Sequence, residues 1–168
     1  MNVYTGIESP VGPLLLVGEK SADGVVQLTS LSMDGQRYAP KVRDAWTADP
    51  EAFAEVAREL REYFDGSRTE FTLDYAVAGT DFQRRVWDAL DTVPHGTTTT
   101  YGALAARLGL PRDRVQALGA AIGANPLLIV RPCHRVVGAD GSMRGYAGGV
   151  ERKQWLLALE GAIAPLLV

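Results

Sequence analysis

Short apolar stretches separated by turn residues open the chain. Val3–Ile7 and Leu14–Val17 flank a segment dense in proline and glycine, which predicts a β-hairpin. Val25–Met33 predicts a third strand, and the polar residues 34–48 predict a loop. Alternating apolar positions over residues 71–77 predict a further, half-buried strand. This part of the chain should therefore form a small antiparallel sheet.

The helix predicted ahead of that last strand has signals at both ends. Asp49 and Pro50 supply an N-cap and a proline at the first helical position, and Gly66 comes shortly after the last apolar residue, Phe64. Apolar residues recur between these ends at helical spacing, which predicts one amphipathic helix.

Helical spacing dominates the second half. Thr80 and Gln83 have the spacing of a capping box, and a helical apolar face continues from there to Val93. Two shorter helices are predicted next, Tyr101–Leu108 and Arg112–Ile122, joined by a turn that contains glycine and proline. Such a pair is the helix-turn-helix pattern of DNA-binding proteins, although many helical domains contain one.

The remaining segments complete the predicted fold. Leu127–Val130 predicts a short buried strand, Val136–Met143 a hairpin that would form a wing, and Val150–Gly161 a last helix. The fold class is therefore α/β, of the α+β type. Its N-terminal domain, 1–78, would hold a small antiparallel β-sheet with a helix. Its C-terminal domain, 79–168, would be helical, with a winged helix-turn-helix and an active-site strand.

The composition is that of an ordinary globular protein. Of 168 residues, 46% are apolar and 22% are charged. No apolar run reaches the ~18 residues of a membrane span, and no signal peptide is predicted. One cysteine excludes an internal disulfide and a Cys-rich zinc site. We therefore expect a cytoplasmic protein with no membrane association, no metal and no cofactor.

The charge is unevenly distributed along the chain. The formal net charge is −3, but residues 1–80 carry −6 and residues 81–168 carry +3. A basic second half is compatible with a nucleic-acid surface. Solvated charge without any partner is the simpler explanation when charge is considered alone.

Cys133 lies in the segment with the most reactive side chains. A lone cysteine is most often a small core hydrophobe, but Pro132 interrupts the strand here and His134 follows directly. Neighbouring strand residues point to opposite faces, so we expect a water relay between thiol and imidazole, and direct contact only if the chain turns at Pro132. His134 could then deprotonate a thiol of ordinary pKa about 8.5, with a carboxylate orienting the imidazole. The carboxylates of the second half are Asp81, Asp88, Asp91, Asp113, Asp140, Glu151 and Glu160.

This segment resembles the active-site region of a known family, the O6-alkylguanine-DNA alkyltransferases. The resemblance rests on Pro132-Cys133-His134-Arg135-Val136, with Asn125-Pro126 before it and Gly145-Tyr146-Ala147-Gly148-Gly149 after it. It covers nearly the whole chain and is weakest over about residues 34–70. Further matching segments are Ser9–Leu14, Gly79–Gln83, Val86-Trp87, Val93–Gly96, Tyr101-Gly102, Lys153, Leu156-Leu157 and Glu160.

The resemblance implies direct, irreversible repair of O6-alkylguanine, and more weakly of O4-alkylthymine, in double-stranded DNA. Cys133 would accept the alkyl group once per molecule, with His134 as the base through water and Glu160 polarising it. Tyr101 would donate a proton or hydrogen bond to the leaving guanine, and Asn125 would hold the helix-turn-helix against the active-site strand. The protein would bind from the minor groove as a monomer and flip the base out, with cooperative binding along DNA left open.

The resemblance also implies two groups of binding residues. The residues that would contact DNA are Arg112, Arg114, Gln116, Ala117, Gly119 and Ala120. Those that would line or support the base pocket are Ile122, Val136, Tyr146, Ala147, Gly148 and Lys153. From the residues alone, the small side chains could instead serve close helix packing, Tyr101 could lie in the core, and Lys153 could be exposed.

Two positions depart from the family pattern. Gln116 stands where an arginine usually fills the gap left by the flipped base, and Ala147 stands where a serine is usual. Three other functions are weighed against repair. A damage sensor of the alkyltransferase-like kind would lack the cysteine, and a plain winged-helix regulator would not need Cys133, His134 and Glu160. A cysteine hydrolase would need an oxyanion-hole motif, and none is evident.

Overall fold

A computed structural model describes residues 1–143 and 145–164. It divides the chain into two compact units, one spanning Met1–Ala78 and one that begins at Gly79. None of the helices described in it is both long and apolar enough to cross a membrane.

The first unit is built on a four-stranded sheet in the order β3-β2-β1-β4. Its strands are β1 (Asn2–Ile7), β2 (Leu14–Lys20), β3 (Val26–Met33) and β4 (Thr47–Ala48). The first three are antiparallel, as predicted, but β4 pairs parallel to β1. The prediction of a loop throughout 34–48 is wrong at β4. The free edge of β1 offers main-chain groups to any extended neighbour, so a polar sequence can still pair there.

The helix of the first unit begins and ends where the sequence predicts. Asp49 accepts a hydrogen bond from the Ala52 amide, a 3₁₀ turn follows, and α1 runs over Ala54–Phe64. Gly66 then adopts φ 87°, a left-handed conformation that glycine takes without strain.

The strand predicted over residues 71–77 is wrong for most of its length. Only Tyr75 forms a bridge, parallel to Leu28. The Thr72 amide donates instead to the Glu59 carboxylate at 2.8 Å, and the Thr72 hydroxyl donates to the same group at 2.6 Å. A backbone amide that donates to a side chain cannot also donate to a neighbouring strand. The alternation of apolar and polar residues gives no indication of such a side-chain contact.

The second unit contains four helices and a short two-stranded pairing. The elements are α2 (Asp81–Leu90), β5 (Thr99–Thr100), α3 (Tyr101–Arg107), α4 (Val115–Gly123), β6 (Val136–Val137) and α5 (Val150–Leu159). Thr80 and Gln83 form the predicted capping box of α2, and Thr100 caps α3. Helices α3 and α4 form the helix-turn-helix pair. The Trp87 indole donates to the Ala121 carbonyl at 2.9 Å, which ties α2 to α4.

Of the predicted active-site strand, Leu127–Val130, only Leu127 forms a β-bridge, and the rest is a series of turns. The Val130 amide donates to the Leu128 carbonyl and the Arg131 amide donates to the Leu127 carbonyl, while Ile129 has a φ of 70°. The apolar run reflects burial, because Leu127, Leu128 and Ile129 are all buried. Burial alone does not distinguish an extended segment from a folded one.

The predicted hairpin at Val136–Met143 also differs from expectation. Within the part of the chain that the structure describes, β6 pairs with β5 in parallel rather than with a second arm of a hairpin. The segment folds back through a turn, in which the Gly138 amide donates to the Ser142 carbonyl at 2.9 Å. The wing is thus a hydrogen-bonded loop.

Candidate active site

Cys133 opens a 3₁₀ turn, Cys133–Arg135, that follows the turns described above. Its side chain is 5% exposed and is the only thiol of the chain. Pro132 precedes it, and the Cys133 amide donates to the Arg131 carbonyl at 2.8 Å. The backbone therefore bends sharply at the cysteine instead of running past it as a strand.

Asn125 binds the turn that carries Cys133. Its Oδ1 accepts from the Leu127 amide at 3.1 Å. Its Nδ2 lies 3.3 Å and 3.2 Å from the carbonyl oxygens of Leu127 and Arg131, and 3.2 Å from Sγ of Cys133. An amide suits this position because it accepts on one side and donates on the other, whereas a carboxylate could only accept. Asn125 follows α4 closely, so it links the helix-turn-helix to the cysteine turn.

His134, Glu160 and Arg135 form one buried polar cluster. Nε2 of His134 lies 2.7 Å from Oε2 of Glu160. Arg135 donates from Nε to Oε1 at 2.7 Å and from Nη2 to Oε2 at 3.0 Å. A third bond, from Nη1, reaches the Val93 carbonyl at 2.6 Å. Of the seven carboxylates left open by the residues alone, Glu160 is the one that contacts His134.

Burial governs the protonation of the site. It raises the pKa of the Cys133 thiol to about 11, against the opposing effects of the Asn125 hydrogen bond and the Lys153 charge. It lowers the pKa of Lys153 to about 8, an effect that the Cys133 charge opposes. It also lowers the pKa of His134, although the hydrogen bond to Glu160 acts in the other direction. At neutral pH the resting site therefore holds a protonated thiol and a neutral imidazole.

Tyr101 and the glycine-rich segment after residue 144 meet in the structure. Gly145 has a φ of 54°, and a Cβ built on it would lie 3.3 Å from the Tyr101 hydroxyl. Tyr146 packs edge-on to His134, with ring centroids 6.4 Å apart and an interplanar angle of 79°. Tyr101 and His134 thus both contact this segment, which was predicted to line the base pocket.

The other residues predicted for the base pocket are buried or half-buried: Ile122, Val136, Ala147 and Gly148. Lys153 is 0% exposed, which rules out the alternative of a solvent-exposed lysine. It lies on the face of α5 that also carries Glu160, since the two are seven residues apart and separated by about two helical turns.

The residues predicted to contact DNA lie on the outer side of α4 and the 3₁₀ turn before it. Exposed positions are Arg112, Arg114, Gln116 and Ala120, while Ala117 and Gly119 are half-buried. The Arg114 guanidinium lies 4.8 Å from the centre of the Phe82 ring. A Cβ built on Gly119 would meet no described atom within 4 Å, so internal packing does not account for a glycine there.

Arg131 and Arg135 are buried arginines of the segment around Cys133, and no role was predicted for either from the sequence. Arg131 contacts Asp91 at 3.3 Å and lies 5.2 Å from the Trp87 ring centre. Arg135 binds Glu160, as described above. A signal was available for Arg135, because a carboxylate on the apolar end of a helix requires a cationic or hydrogen-bonding partner when it is buried. No group of His, Cys, Asp and Glu within residues 1–143 and 145–164 is placed to hold a metal ion.

The fold and the site together define a winged helix-turn-helix protein with a buried, cysteine-centred reactive site. Residues 2–76 match the family profile described as 6-O-methylguanine DNA methyltransferase, ribonuclease-like domain, and residues 81–162 match the DNA binding domain of the same description.

Proteins of known name and structure agree with these profiles. The methylated-DNA–protein-cysteine methyltransferase of Mycobacterium tuberculosis is 48% identical over 96% of this chain and 94% of its own length. The protein of that name from Methanosarcina acetivorans is 42% identical over 95% and 98%. A crystal structure of the M. tuberculosis protein in complex with DNA superposes with a TM-score of 0.85, at 46% identity, over 95% of this chain and 93% of that one.

The chain belongs to the 6-O-methylguanine DNA methyltransferase family. It is a DNA-repair enzyme that acts by direct alkyl transfer, and the presence of Cys133 separates it from a sensor that would bind lesions without reacting.

Proposed function

We propose that this chain repairs O6-alkylguanine in double-stranded DNA by transferring the alkyl group to Sγ of Cys133, once per molecule. The observation that carries this assignment is the surroundings of the only thiol. Sγ of Cys133 contacts the Asn125 amide at 3.2 Å, and the next residue, His134, is paired with Glu160 at 2.7 Å. A base with its own orienting partner is a recurrent means of activating a nucleophile.

The proposed reaction is an in-line displacement at the alkyl carbon. The Sγ–C bond forms as the C–O6 bond breaks, and the bonding electron pair moves onto the guanine. The guanine then needs a proton or a strong hydrogen bond, since stabilising the developing negative charge lowers the barrier. Tyr101 is the proposed donor, because its hydroxyl lies against Gly145 at the start of the proposed base pocket.

Proton removal from the thiol belongs to the reaction rather than to the resting state. A thiol whose pKa is raised to about 11 is protonated at neutral pH, and the neutral imidazole of His134 is able to accept its proton. Nε2 of His134 is engaged with Glu160, so Nδ1 is the atom that would take the proton, through a water molecule.

We propose that α4 enters the minor groove, with Arg112 and Arg114 at phosphates and Gln116 beside the gap left by the flipped base. The exposed face of α4 supports this, because it carries small residues and no charged side chain, and so permits close approach to a duplex. A monomer in the cytoplasm suits a reaction that depends on one free, unpaired thiol.

The decisive experiment is incubation of the protein with a duplex that contains one O6-methylguanine, followed by mass spectrometry. One added methyl on the peptide that carries Cys133 is expected, at one equivalent per protein molecule. Cys133→Ala should abolish transfer and retain DNA binding. A full equivalent of methyl on another residue, or binding with no transfer by the wild-type protein, would contradict the proposal. Duplexes with O4-methylthymine should react more slowly.

A further inference from the structure

We propose that Arg135 is a positioning residue for alkyl transfer: it holds the Glu160 carboxylate on Nε2 of His134 and so leaves Nδ1 as the proton acceptor of the imidazole. The proposal rests on the function proposed above for Cys133 and His134. It concerns a residue whose side-chain hydrogen bonds go to Glu160 and the Val93 carbonyl, and which acts through Glu160.

The contacts of Arg135 fix the carboxylate in one orientation. Two parallel hydrogen bonds from Nε and Nη2 engage both oxygens of Glu160, at 2.7 Å and 3.0 Å. Such a fork defines the plane of the carboxylate as well as its position. The third donor, Nη1, is anchored on the Val93 carbonyl at 2.6 Å, so the guanidinium cannot swing away without losing a main-chain partner.

The charge of Arg135 keeps Glu160 ionised in a buried place. Arg135, Glu160 and His134 are all buried, and an unpaired carboxylate there would be costly. Without the guanidinium, Glu160 would gain a proton or draw one onto His134. Either change would alter which atoms of the site carry protons before any lesion is bound.

An ionised Glu160 determines the tautomer of His134. A carboxylate can only accept hydrogen bonds, so the 2.7 Å contact requires a hydrogen on Nε2. The lowered pKa of His134 keeps the imidazole neutral, and a neutral imidazole with Nε2–H has its lone pair on Nδ1. Nδ1 is buried and has no hydrogen-bond partner among the residues that the structure describes.

The alternative is that Arg135 is only a structural link between Val93 and the end of α5. The chain offers a matched control for that possibility. Arg131 lies four residues earlier, is buried to a similar extent and pairs with a different carboxylate, Asp91. Arg131→Lys and Arg135→Lys each keep the charge and lose the planar fork.

The first test is the tautomer of the wild-type protein. The chain has two histidines, His95 and His134, so ¹⁵N-histidine labelling gives two ring spin systems, and His95→Gln assigns them. We expect His134 to be neutral at pH 7 with the hydrogen on Nε2. A hydrogen on Nδ1, or a doubly protonated ring, would overturn the proposal without any Arg135 variant.

The second test is single-turnover methyl transfer by folded variants. Arg135→Lys should slow transfer by roughly tenfold or more, since a misdirected general base forfeits part of its 10²–10⁴-fold effect. Its His134 spectrum should show mixed tautomers or protonation. Arg131→Lys should show the wild-type His134 spectrum whatever it does to the melting temperature. In a Glu160→Gln background, Arg135→Lys should add little further loss.

The outcomes separate this inference from the proposed function. If the wild-type protein transfers no methyl to Cys133, the proposed function itself fails. If the wild-type protein does transfer methyl, but Arg135→Lys matches it in rate and in the His134 spectrum, only the role of Arg135 fails. If Arg135→Lys does not fold, the wild-type tautomer and the Glu160→Gln variant decide, because Glu160→Gln should lose the Nε2–H preference.

Discussion

Lys153 is the buried cation whose charge favours the ionised form of Cys133. Its side chain is 0% exposed, and burial lowers its pKa to about 8, so it is mostly protonated at pH 7. Keeping an ammonium group in such a place is unfavourable for folding. Its charge favours the ionised form of Cys133, so it also acts on the thiol.

Lys153→Met tests the effect of this charge on the transfer rate separately from its effect on folding stability. We expect transfer at pH 7 to slow by at least about tenfold, since the Cys133 thiolate loses a nearby positive charge. The free energy of unfolding shows how far Lys153 also serves the fold, because the substitution exchanges a desolvated ammonium group for an apolar side chain of similar length. Urea denaturation and single-turnover assays measure the two quantities. A large loss of stability with an unchanged rate would show that Lys153 is structural.

The rate of transfer should depend on pH through His134. The thiol pKa is raised to about 11, so the thiol stays protonated throughout the neutral range. The pKa of His134 is lowered from its ordinary 6.5, so the imidazole can accept a proton at pH 6.5 and above. At saturating DNA we expect the rate to fall at pH values low enough to protonate the imidazole and to be nearly constant between pH 6.5 and about 8. A rate that rises about tenfold per pH unit over that interval would mean that hydroxide, rather than His134, removes the proton.

The helix-turn-helix makes a testable prediction at the level of a secondary-structure element. Gly119 lies within α4, and a Cβ there meets no described atom within 4 Å. Gly119→Ala should therefore stabilise the free protein by about 0.5–1 kcal/mol, as expected for glycine to alanine in a helix interior. Gly119→Leu should fold as well but bind duplex DNA more weakly, since its side chain would project from the surface that we propose to enter the minor groove.

Ala54→Leu is the control for Gly119→Leu, because Ala54 is an exposed helical residue of the first unit. It should leave DNA affinity unchanged. Equal affinity for Gly119→Leu and the wild-type protein, measured by fluorescence anisotropy, would place the DNA interface elsewhere.

Elements with local signals were predictable from the sequence, and elements that depend on distant partners were not. The caps at Asp49, Thr80 and Thr100 placed three helix starts correctly, because a cap is a contact between residues three positions apart. The strand predicted at 127–130 is wrong beyond Leu127, where the chain forms turns whose main-chain groups bind the Asn125 side chain. The parallel pairing of β4 depends on an edge more than 40 residues away.

The site shows the same division. The segment around Cys133 was enough to identify the thiol and the imidazole of His134 as candidates, and the family resemblance identified Glu160 as the carboxylate. Arg135 was overlooked as a partner of Glu160, because the two are 25 residues apart and only the folded chain brings them together.

The whole molecule carries a net charge of −3, so its affinity for DNA must rest on a few local cations. Each phosphate contact contributes about −0.9 to the slope of log K against log salt concentration. Arg112→Ala should reduce the magnitude of that slope by about 1 and weaken binding to all sequences alike. Arg61→Ala, an exposed arginine of the first unit, should leave the slope unchanged. Equal slopes for Arg112→Ala and wild type would remove Arg112 from the interface.

The seclusion of Cys133 has a consequence for how long the protein lasts in a cell. Peroxide and soluble alkylating agents attack thiolates that they can reach, but Cys133 is 5% exposed and its thiol is protonated at rest. Such reagents should inactivate few protein molecules before a lesion is bound. Since each molecule reacts once, the supply of intact protein sets how many damaged bases a cell can reverse before new synthesis is needed.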